Sequence, residues 1–444
     1  MRRLIRGERY RQLGTILTKT HAADIGYLLH FLTAHQRVKV LDLVSEPQQI
    51  ADILAELDET VLRDVLITMP DERLVDILLI MPSDEMTDIL NLVGQERKDE
   101  LMKLMPAEEL SEAHSLLGYL PQSAGGLMST EYLALSKATT AQNALDLVRQ
   151  NSRDAEMVFY VYVVNDHGHL VGVLSLRNLV QAPAGQAIGE FMTTEVVRVF
   201  PEVDQEEVAR LVARYNLLAL PVVDSNNQLL GIVTVDDVID VIRYEATEDM
   251  LKMAGVAGAR VAADAPPLGS IRRRIPGLFP AFVAGLLGIA VVSSYEDDLR
   301  RVLALACFMP MIMGMAKTIG TQSSTLITRG LALGKFEFAV MGRVVFKEML
   351  IGVVAGVVYG SVSGLLAAAY FEHGIRDSWF FGLTIGSAVV TSMTVAAILG
   401  ATIPLLFERV GWDPASANSP FVSTTIDVTA IWIYLMTGSV LTLL

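Results

Sequence analysis

Residues 1–130 mix short apolar and polar runs at helical spacing. Pro70, Pro82, Pro106 and Pro121 each follow Met or Leu, and the triplet Asp-Ile-Leu recurs at Asp52, Asp76 and Asp88. The interval from Pro82 to Pro106 is twice that from Pro70 to Pro82, which predicts one short amphipathic unit used several times. Proline opening a helix wastes no hydrogen bond, because its missing N–H would have no intrahelical partner, so each is expected in a first turn. Helices this short bury their apolar faces only by stacking on one another, and residues 1–130 therefore read as a superhelical α domain.

Between 131 and 243 the period changes, and helical segments alternate with short β-branched runs. A helix over 141–150 is followed by FYVYVVNDHGHLVGVLSLRNLV, which predicts a strand, a turn at Asn165 to Gly168, a second strand and a helix. EEVARLVARYNLLALPVVDSNNQLLGIVTVDDVIDVI repeats that pattern, with LVGVLSLRNLV matching LLGIVTVDDVI so that Gly172 of the first copy corresponds to Gly231 of the second. Residues 244–275 pass from acidic EATEDMLKMAG through VAADAPPLGS to basic IRRRIP, a connecting helix and linker ahead of a membrane boundary. Five apolar stretches follow, at about 276–294, 302–328, 344–371, 379–407 and 420–443. Each reaches the roughly 17–25 residues that cross a bilayer. Residues 276–444 are thus expected to form a five-helix transmembrane domain, and the chain reads as a multidomain membrane protein.

Composition sharpens this division. The 444 residues have a mean hydropathy of +0.43 with 19% charged, too apolar for a wholly soluble enzyme. Residues 1–270 carry a net charge of −17, and residues 271–444 carry +2. An acidic half joined to a nearly neutral apolar one argues against nucleic acid, since phosphate binding needs concentrated Lys and Arg, and suits a cation. The single cysteine, Cys307, excludes an internal disulfide framework, and seven scattered His offer no zinc spacing. MRRLIRGERY leads into no apolar core, so no secretory signal is read. The expected loops place eight Lys and Arg on the amino-terminal side of the membrane and three (Arg300, Arg301, Arg376) on the other. By the positive-inside rule the amino terminus and the duplicated modules are cytoplasmic, and after five spans the carboxyl terminus is outside. No GxxxxGK[ST] loop or phosphoenzyme site is present, so the chain is not read as an enzyme or a nucleotide-driven pump.

Two features of the spans carry candidate chemistry. Gly352, Gly356, Gly360 and Gly364 form a ladder at every fourth position on one face of the third span, read as small-residue helix packing, with a backbone-lined pathway as the alternative. Asp427 is the single acidic residue of the fifth span, where a mid-membrane charge costs at least about 2.5–3.5 kcal/mol and so faces a partner or a watery path. Ser419, Ser423, Thr424, Thr425 and Thr429 surround it with hard oxygen donors. Such donors suit Mg²⁺, which keeps several waters and meets one or two carboxylates. Oxygen sites also hold other hard divalents, so a carrier of Co²⁺ or Mn²⁺ stays open.

The duplicated modules resemble a tandem pair of CBS modules, α/β regulatory units that often bind adenosine nucleotides. Gly231, Thr234 and Asp237 match the family's GxxTxxD pattern, which implicates Thr234 and Asp237 in nucleotide binding; the first copy has Ser175 and Asn178 there and lacks the carboxylate. The whole order of parts, with PMIMGMAKTIGTQSSTLITRGLALG, TVDDVIDVIRYEATEDM and DPASANSPFVSTTIDVTAIWIYL, resembles the MgtE magnesium channels. That resemblance implies a homodimer in the plasma (inner) membrane with the pore between its membrane halves, lined here by Lys317, Thr318, Gly320, Gln322, Ser419 and Ser423, with Asp427 holding hydrated Mg²⁺. It further implies regulatory Mg²⁺ on acidic cytoplasmic surfaces, closing the pore when internal Mg²⁺ is plentiful, with ATP as a second candidate regulator. The matching positions are Asp204, Glu206, Asp237, Asp240, Glu245, Glu248 and Asp249, and more loosely Asp84 and Asp88. Taken alone, each of these acids would read as a solvated surface charge.

Two positions depart from the family pattern. Its Gly-Gly-Asn in the second span is Ala316, Lys317, Thr318 here, and Ser419 stands at a family asparagine with Asn418 one place earlier. Counted from the expected cytoplasmic ends, Lys317 and Asp427 lie roughly 16 and 10 Å deep at about 1.5 Å per residue, within reach of each other. Lys317 then either serves as a tethered counter-ion of Asp427, slowing conduction, gating it by lysine deprotonation or changing its selectivity, or points away and snorkels to the interface. A pore closed for good by Lys317 would leave a nonconducting Mg²⁺ sensor.

Overall fold

The computed structural model describes residues 10–151, 159–256, 267–332, 341–370, 378–418 and 420–443. It divides into two compact units, Met1–Ile242 and Arg243–Leu444.

Nine helices open the first unit among the described residues: α1 (Tyr10–Leu17), α2 (Ala22–Leu29), α3 (Ala34–Leu41), α4 (Pro47–Ala55), α5 (Glu59–Thr68), α6 (Asp71–Leu78), α7 (Ser83–Leu92), α8 (Gln95–Leu104) and α9 (Ala107–Leu116). Packing runs mainly between helices two places apart, α2 on α4, α3 on α5, α4 on α6, α6 on α8 and α7 on α9. This stagger makes the expected superhelix and buries one continuous row that includes Leu13, Leu29, Leu54, Leu66, Leu78, Leu90 and Leu101. Arginines tie the stack by capping the carbonyls that end other helices. Arg37 donates to the Leu29 carbonyl and to Asp64, and Arg97 donates to the Leu66 and Met69 carbonyls and to Asp71. The prolines sit one place earlier than expected. Pro70, Pro82 and Pro106 are N-caps with extended ψ of 145°, 148° and 158°, and their carbonyls accept the first helical bonds. Pro121 lies in a turn ahead of α10 (Ala124–Leu127). A cap needs no N–H either, and the fixed φ of proline suits the extended entry.

The duplicated modules follow as β1 (Ala134–Ser136), α11 (Ala141–Asn151), β2 (Tyr160–Val164), β3 (Leu170–Ser175), α12 (Leu176–Gln181), α13 (Gln205–Tyr215), β4 (Ala219–Val223), β5 (Leu229–Thr234) and α14 (Val235–Met253). β2 and β3 pair antiparallel with Val163 opposite Gly172, and β4 and β5 pair with Val222 opposite Gly231, each hairpin bulged at the next residue. The offset between the two sequence copies is therefore kept in register and in irregularity alike. β1 adds to β2 in parallel, and Val199 makes the same parallel approach to Val222. Gly231 is needed for close packing: a Cβ there would stand 2.7 Å from the Ser129 carbonyl oxygen, which belongs to a segment bridged to Ile232. α14 runs unbroken through the expected boundary at 243/244 to Met253, and beyond it the φ of +75° at Gly255 lets Val256 N–H reach the Leu251 carbonyl.

The second unit holds α15 (Pro267–Ser294), α16 (Glu296–Arg301), α17 (Ala304–Ala332), α18 (Met341–Tyr370), α19 (Ser378–Val410), α20 (Pro414–Asn418) and α21 (Pro420–Leu443). α15, α17, α18, α19 and α21 are each long and apolar enough to cross a membrane. α15 begins at 267 rather than 276, taking IRRRIP into the helix, and α17 continues to 332 rather than 328. Hydropathy marks the hydrocarbon layer, whereas hydrogen bonding carries helices past it. α18 and α19 pack along their length through glycine: a Cβ on Gly360 or Gly364 would stand 2.6 Å from the Gly386 or Gly382 carbonyl oxygen. The ladder is thus a packing device.

Candidate functional site

α15, α17 and α21 line an open cavity of about 470 Å³, and the polar side chains on its wall are Ser293, Lys317, Ser423, Thr424 and Asp427. Lys317 Nζ donates to Asp427 Oδ2 at 2.9 Å. The Asp427 side chain is 22% exposed and that of Lys317 48%, so the pair lies at the cavity wall and the lysine keeps open space around it. Lys317 therefore does not snorkel away from the acid. The pair forms although Lys317 stands about twice as far from the end of α17 at Ala332 as Asp427 does from the start of α21 at Pro420. α17 overhangs α21 there by about eight residues, roughly 12 Å.

The register of the two helices is fixed on either side of the pair. The Tyr434 hydroxyl donates to the Leu305 carbonyl at 2.5 Å. At the other end Gly320 admits Ile426 and the Ala396 carbonyl, where a Cβ would stand 2.9 Å from that oxygen, and Gly400 lies against Gly320 in turn. Gly320 is therefore buried between α17, α19 and α21 rather than on the cavity, because only glycine allows this three-helix approach. Ala316 is also buried, while Thr318 and Gln322 are exposed and off the cavity wall. Ser419 lies outside the described residues. Ser423 and Thr424 bond back to the Pro420 carbonyl, at 3.5 and 2.5 Å. Their protons are spent on the helix, and their oxygen lone pairs are left for water or a cation.

A second charged group sits in the same unit. Lys252, near the end of α14, bonds Glu248 at 3.1 Å and Asp413 at 2.7 Å. Asp413 also caps α20, accepting from Ala415 N–H at 2.8 Å. Burial pushes Asp413 up, but the bonds from Lys252 and Ala415 outweigh it and hold the carboxyl below its ordinary value. Burial pulls Lys252 down, and Asp413 and Glu248 more than reverse that. Asp249 is raised to about 6, first by burial and then by Asp413, with Glu245 and Glu248 adding repulsion against the opposing Lys252. Sequence reasoning named Glu245, Glu248 and Asp249 and did not name Lys252 or Asp413; the signal for Asp413 was its cap position in DPAS. It also missed Glu348 of α18, which is 5% exposed and accepts from Ser323 at 2.8 Å.

In the first unit, Asp204 and Glu206 are exposed at the start of α13, where Asp204 accepts from the Glu206 N–H at 2.9 Å. Asp237 is half-buried and accepts from Thr234, and Asp240 is exposed one turn on. Asp84 is buried in the first turn of α7, and Asp88 is exposed. Among the described residues no group of three or more His, Cys, Asp or Glu is placed to hold a metal ion within one chain.

Residues 309–437 match the family model of the MgtE divalent cation transporters, 20–122 that of the MgtE intracellular N domain, and 124–185 and 188–244 that of the CBS domain. The chain is 38% identical to the magnesium transporter MgtE of Thermus thermophilus over 332 residues, 74% of this chain and 72% of that one. It is 36% identical to the MgtE of Enterococcus faecalis over 326 residues, 73% and 70% of the two chains. The soluble part of a magnesium transporter matches with a TM-score of 0.51 and 32% identity, covering 55% of this chain and 96% of the other. The cytosolic domain of the Mg²⁺ channel MgtE in complex with ATP matches at 0.50 and 38%, covering 52% and 94%.

Proposed function

The chain belongs to the MgtE family of divalent cation transporters, and on that footing we propose that it conducts Mg²⁺ along a membrane path built around Asp427. The observation that carries this is the cavity between α15, α17 and α21, whose wall includes Asp427, Ser423 and Thr424. These are hard ligands, and the space leaves room for an ion that keeps its water. As in the resemblance, we take the working form to be a homodimer in the plasma membrane, with its amino terminus and CBS modules cytoplasmic and its carboxyl terminus outside.

Regulation follows from charge. Asp204, Glu206, Asp237, Asp240, Glu245, Glu248 and Asp249, with Asp84 and Asp88, are the carboxylates through which internal Mg²⁺ would draw repelling surfaces together and favour a closed state, to the extent that it binds that state better. ATP is the second regulator proposed, at Thr234 and Asp237, with support from the ATP complex of the related cytosolic domain. One observation favours a second reading: the Lys317 ammonium already occupies Asp427, as a nonconducting Mg²⁺ sensor would require. Mg²⁺ flux into proteoliposomes decides between them. The channel reading expects flux that internal Mg²⁺ suppresses and Asp427→Ala abolishes. Absence of flux, with Mg²⁺ still protecting the cytoplasmic part from protease, establishes the sensor.

A further inference from the structure

Lys317 is a charged residue inside an apolar helix long enough to cross a membrane, where an ionised group is costly, and its position is imposed by its neighbours. Ala316 is packed into the helix core and Thr318 bonds back to Gly314 at 2.8 Å. Lys317 thus presents the ammonium to the cavity, with Asp427 2.9 Å away and register anchors on both sides. An ammonium has three donors. One meets Asp427, and with nearly half its side chain exposed the group has space to swing aside without losing a packed position.

We propose that Lys317 is a tethered counter-cation that occupies Asp427 between ions and must be displaced by the ion that enters, which makes it a determinant of cation selectivity. This rests on the reading of Asp427 as the pore carboxylate. The paired site carries no net charge. A monovalent cation that displaces the ammonium replaces one unit charge by another and competes with a rival held at high local concentration by its own tether. A divalent cation brings twice the charge to the carboxylate and gains from the exchange. The lysine therefore screens out monovalent ions, at the expense of weaker Mg²⁺ binding.

The test uses full-length protein in liposomes and two readouts. Lys317→Gln is expected to lower the Mg²⁺ concentration for half-maximal flux by about ten-fold or more, as expected when no charge-assisted hydrogen bond has to be broken. It also admits K⁺, while Lys317→Arg keeps the wild-type half-saturation and excludes K⁺. Independently of flux, reductive methylation of the Lys317 amine, followed by mass spectrometry, should rise and saturate with added Mg²⁺ in the wild type. In Asp427→Asn it should be fast and indifferent to Mg²⁺. Methylation that ignores Mg²⁺ and is the same in both proteins overturns the tether, as does a Lys317→Gln channel with unchanged half-saturation and K⁺ exclusion. Displacement seen by methylation, with no flux in the wild type or in Lys317→Gln, leaves the tether standing and overturns the transport reading instead.

Discussion

Replacing Gly360 by alanine should destabilise the membrane unit while leaving its ion site alone. The added Cβ would stand 2.6 Å from the Gly386 carbonyl oxygen and 3.0 Å from Val390 Cγ2. A carbon–oxygen contact settles at about 3.3 Å or more, so α18 and α19 must part by roughly 0.7 Å along that line. The obstacle is backbone, which cannot rotate away. Parting is felt along the seam, because Gly352, Gly356 and Gly364 make similar approaches to Thr394, Val390 and Gly382. Overpacking of this kind costs about 1–3 kcal/mol, and the better helix propensity of alanine returns about 1 kcal/mol. Gly342, in the first turn of the same helix, has nothing within 4 Å of its would-be Cβ among the described residues, so Gly342→Ala makes the same change without a clash. The difference between the two variants, about 1–3 kcal/mol, isolates the clash. Equilibrium unfolding in mixed detergent micelles measures it, and Mg²⁺ half-saturation of the folded fraction should match the wild type. Equal unfolding midpoints for Gly360→Ala and Gly342→Ala would refute the packing argument. Altered half-saturation in Gly360→Ala would revive the ladder as an ion path.

Lys252→Met removes the bonds to Glu248 and Asp413 and leaves those carboxylates beside Asp249 uncompensated. Because the groups are partly exposed, the expected loss is only about 1–2 kcal/mol, seen as a lowered melting temperature without Mg²⁺ and recovered as Mg²⁺ is added; a deficit that is the same at every Mg²⁺ concentration counts against it. The raised Asp249 carboxyl, at about 6 against 3.8 unperturbed, takes up its proton more readily folded than unfolded. Its contribution to stability is therefore full below pH 3.8 and lost as pH rises through about 6. Mg²⁺ competes with that proton, so protease protection by Mg²⁺ should weaken between pH 7.5 and 5.5 in the wild type and change less in Asp249→Asn.

Most of the architecture was legible because its signals are periodic and local. The internal duplication fixed two hairpins, and the apolar stretches located five spans; both need only the spacing of residues along one element. Helix ends were less legible, since α14 and α15 continue through polar sequence that hydropathy does not distinguish from a linker. Gly320 shows the deeper limit. Its motif position grouped it with the expected pore residues, and its packing against Ala396, Gly400 and Ile426, neighbours distant in sequence, is something no motif names. Lys252 and Asp413 lie far apart along the chain and carry no shared motif, so only the folded chain brings them together. Lys317 and Asp427 were recoverable for the opposite reason. An ionised group inside a membrane is costly enough that two of them at similar depth are expected to meet, and the bond at 2.9 Å is that expectation realised. In the spans, then, the energetic penalty of burying charge is what made this pair legible, and it directs attention to Lys317 as the partner of Asp427.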